Sequence, residues 1–331
     1  MSGSGPERVA VVGAGLMGAG IAQVFAASGH PVALYDPSED ALATAPRRVR
    51  SICELLGQDL SVAELVTPTS DLAAAAGDAD LVVEAAPEDR ALKRELFAAL
   101  SQLARPQAIL ASNTSSIPIR DLAAGAADRS RVVGTHFWNP PYLVPLVEVV
   151  QSEETAASVV AAVVGLLEEV GMEPVHVRAD IPGFVGNRLQ HALKREAIAL
   201  VASGVCDAET VDTVAKLGLG RRLRVLGPLE QSDLIGLDLT LAIHEVLMPS
   251  LDRTPAPHPF LVEKVRRGEL GMKSGRGFRE WSPEAADAVQ TRLLEELLAD
   301  RRRTARGTAG SPQAPLSQQV TGASRVVPPA E

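Results

Sequence analysis

Two cysteines in 331 residues, Cys53 and Cys206, are too few and too far apart for a disulfide framework or a cysteine-based zinc site, and they suit a reducing cytoplasm. Aromatic residues make up only 3% of the chain, so alanine and valine must fill most of the core. No apolar run reaches the length of a membrane span. The longest, residues 156–167, is bracketed by Glu153, Glu154, Glu168 and Glu169 and reads as a helix. The basic start and apolar middle of an export signal are missing from Met1-Ser-Gly-Ser-Gly-Pro6, a polar lead into a strand. Positive charge is also in deficit. A net charge of −9 argues against nucleic acid as the main partner, because affinity for phosphate backbones comes from clustered Lys and Arg. Two local basic spots stand out, Arg47-Arg48-Val-Arg50 and Arg221-Arg222-Leu-Arg224, and each is either a seat for an anionic ligand or a solvated face. Nothing has metal-ligand spacing, so no metal is expected.

What is present is a repeating pattern. From Arg8 to about Val177, short β-branched runs alternate with helical stretches, which is the signature of a parallel sheet covered by helices on both faces. The predicted strands are 8–12, 32–35, 80–84, 107–111, 131–136, 144–150 and 173–177. Beyond Asp180-Ile-Pro-Gly183 the period becomes helical, with Val185, Leu189, Leu193, Ala197 and Val201 on one face of a helix over 184–203, and no strand-like run follows. The expected organisation is therefore an α/β doubly wound domain over 1–183 and an all-helical domain over 184–282. Asp207 is an expected N-cap, Gly218 an expected helix stop, and Gly227-Pro228 opens what reads as a long helix. Ser282-Pro283-Glu284 starts a further helix to about Arg303. Residues 304–331, rich in Gly, Pro, Ser, Thr and Gln, are expected to be disordered.

Gly13-Ala14-Gly15-Leu16-Met17-Gly18 is a G-x-G-x-x-G that follows a predicted strand and opens a predicted helix, the context that gives this fingerprint its specificity. Gly13 permits the tight turn, Gly15 lets backbone approach a pyrophosphate, and Gly18 allows close helix packing. Asp36 closes the second strand at the position where an acid holds a ribose 2′-OH, which favours NAD over NADP. The fingerprint alone also fits FAD.

A second constellation lies downstream. Asn139-Pro140-Pro141 must end the strand that carries His136, since proline has no ladder N–H and restricts the residue before it. His136 therefore sits at a strand's C-terminal end, where open α/β sheets bind ligands. Glu148 lies inside an apolar run, where a carboxylate is costly unless paired, and His136 is the nearest titratable partner. If Glu148 accepts from Nδ1 of His136, the other ring nitrogen stays free as a base, and an imidazole base opposite a hydride acceptor is what alcohol oxidation needs. A hydrogen-bonded core histidine satisfies the same local pattern. Ser112-Asn113-Thr114-Ser115-Ser116 follows another strand end, fitting either substrate contact or helix capping. Asn187 stands beside the domain junction, a common substrate position, or is simply solvated.

Residues 7–281 resemble the L-3-hydroxyacyl-CoA dehydrogenases through specific motifs: Gly13-Ala-Gly-Leu-Met-Gly18, Val83-Glu84 with Glu88 and Lys93, Ser112 to Ser116, His136-Phe-Trp-Asn139-Pro, Leu146-Val-Glu148, Pro182-Gly-Phe-Val-Gly-Asn187-Arg, Gly227-Pro-Leu-Glu230 and Lys273-Ser-Gly-Arg-Gly-Phe278. The resemblance implies a Rossmann-type domain, a helical domain that dimerises, and NAD-dependent oxidation of an L-3-hydroxyacyl thioester. It makes His136 the base, Glu148 its partner, and Ser115 and Asn187 the substrate-side polar residues. Gly13, Gly15, Leu16, Met17, Gly18, Asp36, Glu88, Lys93 and Asn113 fall on cofactor contacts. The chain departs from the family after Asp36, where many members carry a lysine-rich helix for CoA and only Arg47, Arg48 and Arg50 are basic here. A free hydroxy acid, as for gulonate or carnitine dehydrogenases, is the alternative substrate, with Arg221 and Arg222 as a carboxylate seat and Asn139 as a further substrate-side residue. An acyl group on a carrier protein is another option, and a NAD-binding protein without turnover is the reading from a different class.

Overall fold

The computed structural model describes residues 7–308, with side chains to Arg303. Eight strands form one sheet: β1 Val9–Val12, β2 Val32–Tyr35, β3 Val66–Thr69, β4 Leu81–Glu84, β5 Ile109–Ser112, β6 Val132–Phe137, β7 Leu146–Val150 and β8 Glu173–Val177. Their order is β3-β2-β1-β4-β5-β6-β7-β8. The chain winds outward from β1 to β3 and then returns to lay β4 on the other side of β1, so the β1–β4 boundary is a topological switch point, where such sheets bind ligands. The fold is a Rossmann-type doubly wound sheet followed by a helical region.

The helices between the strands are α1 Leu16–Ala27, α2 Glu39–Leu56, α3 Leu72–Ala76, α4 Arg90–Leu103, α5 Ile119–Ala123 and α6 Ala157–Glu169. They cover both faces with a separate apolar cluster each, one built on Phe25, Leu34, Val83 and Val149 and the other on Phe97, Leu110, Ile119 and Leu122. The central strands β1, β4 and β5 are short, apolar and wholly buried, as parallel strands sandwiched between helices must be, while the edge strands β3 and β8 are partly exposed.

Two features of the sheet depart from the sequence expectation. Strand β3 was not among the predicted strands. It is a four-residue edge strand with Pro68 inside it, and proline is tolerated there because an edge leaves one row of N–H groups unpaired. The sheet is also not wholly parallel: β7 runs antiparallel to β6, because the Pro-rich segment between them folds back as a hairpin instead of crossing over through a helix.

After Asp180, helices α7 Gly186–Ala202, α8 Ala208–Val214, α9 Arg221–Leu223, α10 Pro228–Ile235, α11 Leu237–Leu247 and α12 Pro259–Arg266 follow, with no further strand of the sheet among the described residues. Asp207 caps α8, its carboxylate accepting from the Thr210 N–H. Gly218 does not stop that helix: Ala215–Gly220 is a π-helical turn that runs straight into α9, because glycine tolerates the wider turn without breaking it. Gly227 caps α10 and bonds Glu230, but the helix is short, since Gly236 at φ 99° turns the chain before α11. The first compact unit ends at Asp287.

The last helix, α13, spans Pro283–Thr308, with the Ala285 N–H on the Ser282 hydroxyl at its start. Its part from Ala288 belongs to a second compact unit, which includes an Asp300–Arg303 ion pair one turn apart. The helix thus covers 304–308, which composition placed in the disordered segment. Arginine and alanine are good helix formers, and cations near a C-terminus complement the helix dipole. The rest of that expectation, 309–331, lies outside the described residues. Among the described residues no helix is long and apolar enough to cross a membrane, and no group of three or more His, Cys, Asp or Glu is placed to hold a metal.

Candidate active site

The hairpin places His136 directly across from Glu148 in the β6–β7 register. Nδ1 of His136 lies 2.8 Å from Oε2 of Glu148, with both side chains buried. Burial works to raise the Glu148 pKa, but the bond from His136 and the backbone N–H groups of Gly186 and Val185 outweigh it and hold the carboxyl below its ordinary value. An ionised carboxylate only accepts, so Nδ1 carries the proton and Nε2 is left as the basic nitrogen.

Oε1 of Glu148 accepts from the Val185 N–H at 2.9 Å and the Gly186 N–H at 3.0 Å. One carboxylate therefore holds both the imidazole and the first turn of α7. The chain reaches that turn through two successive left-handed residues, Gly183 at φ 76° and the fully buried Phe184 at φ 50°. A bulky residue in that region is strained, and the surrounding packing must hold it there. Phe184 and Trp138 flank the imidazole, each with its ring centroid 5.8 Å away. The Trp138 ring presses on Gly186 so closely that a Cβ there would collide with it.

Helix α7 brings Asn187 to the sheet edge, where Nδ2 donates to the Ser115 carbonyl at 2.8 Å. Ser115 is held from its other side by Glu88, whose Oε1 accepts from Thr114 Oγ1 at 2.6 Å, the Ser115 N–H at 3.0 Å, and the Ser116 N–H at 3.1 Å. Burial tends to raise the Glu88 pKa, but the Thr114 hydroxyl, Lys93 and those N–H groups together hold it low. Neither Ser115 nor Ser116 caps α5, whose N-cap is Pro118. The Ser115 hydroxyl makes no bond within the chain among the described residues, so it is available to a ligand.

Lys93, which the resemblance sets on a cofactor contact, is buried beneath this loop in an ion pair with Glu84, a residue to which the sequence had assigned no role of its own. Lys93 Nζ is 2.6 Å from Glu84 Oε1 and 3.4 Å from Glu88 Oε2, while Glu84 Oε2 accepts from Ser112 Oγ at 2.6 Å. Glu84 closes strand β4 as Asp36 closes β2, and that parallel was the available signal. Asn113 ties β5 to β6, its Oδ1 accepting from the Phe137 N–H at 2.9 Å.

On the other side of the switch point, the glycines divide their tasks. Gly13 has φ 111°, and a Cβ on it would meet the Ala85 carbonyl at 2.6 Å. A Cβ on Gly18 would run into the Gly13 carbonyl, while nothing lies within 4 Å of where one on Gly15 would stand. That open face adjoins the N-terminus of α1, which has no side-chain cap, no acidic residue in its first turn and an exposed Leu16. Free N–H groups and an open approach are what a pyrophosphate requires, so the residues fit NAD. Asp36 accepts from the Ala14 N–H at 2.8 Å and the Ser38 N–H at 2.9 Å. Met17 packs half-buried against the core.

The basic candidates are not gathered into one place. Arg48 Nη1 donates to the Ala14 carbonyl at 3.0 Å, on the glycine loop. Arg47, Arg50, Arg221 and Arg222 are exposed, and among the described residues their guanidinium groups make no hydrogen bond or ion pair. Asn139 is exposed just beyond β6. A cavity of about 640 Å³ lies instead within the helical region, lined by Val201, Val211, Leu261, Val265, Phe278 and Trp281 among others, and none of the dyad or Ser115–Asn187 residues lines it.

Residues 8–181 match the family described as 3-hydroxyacyl-CoA dehydrogenase, NAD binding domain, and residues 183–281 match 3-hydroxyacyl-CoA dehydrogenase, C-terminal domain. The chain is 36% identical to a 5-formyl-3-hydroxy-2-methylpyridine 4-carboxylate 5-dehydrogenase of Mesorhizobium japonicum, over 89% of this chain and 97% of that one. It is 40% identical to a probable 3-hydroxybutyryl-CoA dehydrogenase of Deinococcus radiodurans, over 83% and 100% of the two chains, and 42% identical to an L-carnitine dehydrogenase of Streptomyces coelicolor, over 67% and 71%. A solved structure of a 5-formyl-3-hydroxy-2-methylpyridine 4-carboxylic acid 5-dehydrogenase, described as an NAD+ dependent dismutase, superposes with a TM-score of 0.83 at 34% identity, covering 90% of this chain and 98% of that one. The chain therefore belongs to the 3-hydroxyacyl-CoA dehydrogenase family and is an NAD-dependent oxidoreductase acting on CH–OH groups.

Proposed function

We propose that the protein oxidises an L-3-hydroxyacyl thioester to the 3-oxo compound, with His136 as the general base. The observation that carries the reading is the 2.8 Å contact between Nδ1 of His136 and Glu148, which leaves Nε2 as the proton acceptor. Bound NAD supplies the hydride acceptor. Nε2 of His136 takes the hydroxyl proton as the carbonyl forms, and Glu148 steadies the imidazolium. The Ser115 hydroxyl and Asn187 hold the reacting oxygens, each placed by a carboxylate, Glu88 for the serine loop and Glu148 for the turn that carries Asn187. Trp138 and Phe184 screen the imidazole from water.

A second reading keeps the same chemistry on a free hydroxy acid or a related carboxylate. Two relatives, named for a pyridine carboxylate and for carnitine, favour it, as do the unpaired guanidinium groups of Arg221 and Arg222. Following NAD reduction with 3-hydroxybutyryl-CoA beside a panel of free acids tests both. Absence of turnover on every thioester would end the first reading.

We further infer that the working form is a homodimer built on the helical region. No residue of α7, α8, α10, α11 or α12 is buried, and Leu229, Leu234, Leu237 and Leu241 are all more than 60% exposed. Apolar surface on that scale calls for a partner. Light scattering gives the mass, and a monomer at micromolar concentration would contradict the inference. The cysteine usage supports a cytoplasmic setting.

A further inference from the structure

The cofactor loop holds one charge that the fingerprint does not explain. The Ala14 backbone is gripped from two sides, its N–H by Asp36 and its carbonyl by Arg48. Asp36 is part of the expected ribose recognition. Arg48, far along α2 in sequence, is not.

We propose that Arg48 is a dinucleotide-binding residue that holds the diphosphate of NAD from the α2 side of the glycine loop. Three observations converge on it. The guanidinium spends one of its five donors on the Ala14 carbonyl, leaving the others for a second acceptor. It is half-buried, and no carboxylate pairs with it among the described residues, whereas a cation drawn out of water is costly until an anion meets it. It also reaches the residue directly preceding Gly15, whose open face and uncapped helix N-terminus await a phosphate. Acid and base on the same residue's backbone then divide the ligand: the Asp36 carboxylate accepts from ribose hydroxyls, and the Arg48 fork donates to phosphate oxygens. The neighbouring Arg47 and Arg50 make no such contact.

Nucleotide phosphates could arrive from NAD or from coenzyme A, and binding to the full-length protein separates them. Isothermal titration of wild type, Arg48→Gln and Arg48→Lys would be run with NAD+, ADP, adenosine and coenzyme A. Loss of a hydrogen bond to a charged group corresponds to roughly tenfold or more, so Arg48→Gln should weaken NAD+ and ADP by about that factor while adenosine is unchanged. The salt dependence of NAD+ binding should flatten in the same variant, and Arg48→Lys, which keeps the charge, should retain part of the affinity. Equal weakening of adenosine and ADP would mean that Arg48 only braces the loop and would overturn the proposal. So would unchanged NAD+ affinity in a folded Arg48→Gln protein, or a loss confined to coenzyme A. If Arg48→Gln fails to fold, Arg48→Lys decides: an NAD+ affinity that keeps the wild-type salt dependence supports the proposal, and one independent of salt overturns it.

Discussion

The sheet region and the helical region are built from the same residue types but close in different ways. Among the described residues, every buried apolar residue except Ala286 lies between Val9 and Phe184, most of them in two clusters on the faces of the sheet. The helices from α7 to α12 expose leucines and valines along their length. A parallel sheet with helices on both faces buries both of its surfaces within one chain, whereas short helices joined in series cover only part of each other. The sheet region can thus stand as a precise support for chemistry, and the helical region is left with exposed apolar surface, which the proposed dimer would cover. The site lies on the seam, where Glu148 from the sheet grips the first turn of α7.

The largest expected effect tests the sheet side. General-base catalysis contributes about 10²- to 10⁴-fold, so His136→Ala should lose turnover on that order with NAD affinity nearly intact. Turnover near wild type on the true substrate would remove His136 from its role. Next comes stability. Leu110 is fully buried, and Leu110→Ala should cost about 2–5 kcal/mol at any protein concentration. Leu241 is 61% exposed, and Leu241→Ala should destabilise only in the concentration-dependent dimerisation step, so denaturation across a dilution series distinguishes the two. A concentration-independent loss at Leu241 would break the contrast between the regions.

The seam itself is probed by Glu148→Gln. A Gln oxygen can accept either from His136 or from the Val185 and Gly186 N–H groups, and its amide then faces donors on the other side. One buried donor is left unpaired, at about 1–3 kcal/mol, and both stability and turnover should fall. Unchanged melting and kinetics would show that the shared carboxylate is not what joins the two parts. The smallest effect is the response to acid. Glu148 and Glu88 are both held below their ordinary pKa, so the unfolded chain binds their protons first as pH drops. Their contribution is complete above the unfolded carboxylate value of about 4.3 and is lost as pH falls through the lower folded values. Thermal melts between pH 6 and pH 3 should show that loss, with a shallower slope in Glu88→Gln.

Much of the sheet was legible because parallel strands are apolar throughout and are punctuated by helices. Strand β3 was not, since four residues including a proline carry too little period to be read. The dyad residues were visible as an acid and a histidine in apolar runs, but their antiparallel pairing depends on the hairpin that the prolines form. Gly218 misled because a glycine stop and a π-helical turn share the same local sequence.

By itself, then, the sequence determined the fingerprint, the alternation and the chemistry available at the sheet edge, since those follow from residue types and periods. Only the tertiary structure decided which groups share a proton, a loop or a charge. Glu148 meets α7 across 37 residues and Arg48 meets Ala14 across 34, and contacts at such separations are made by packing, which no local pattern encodes.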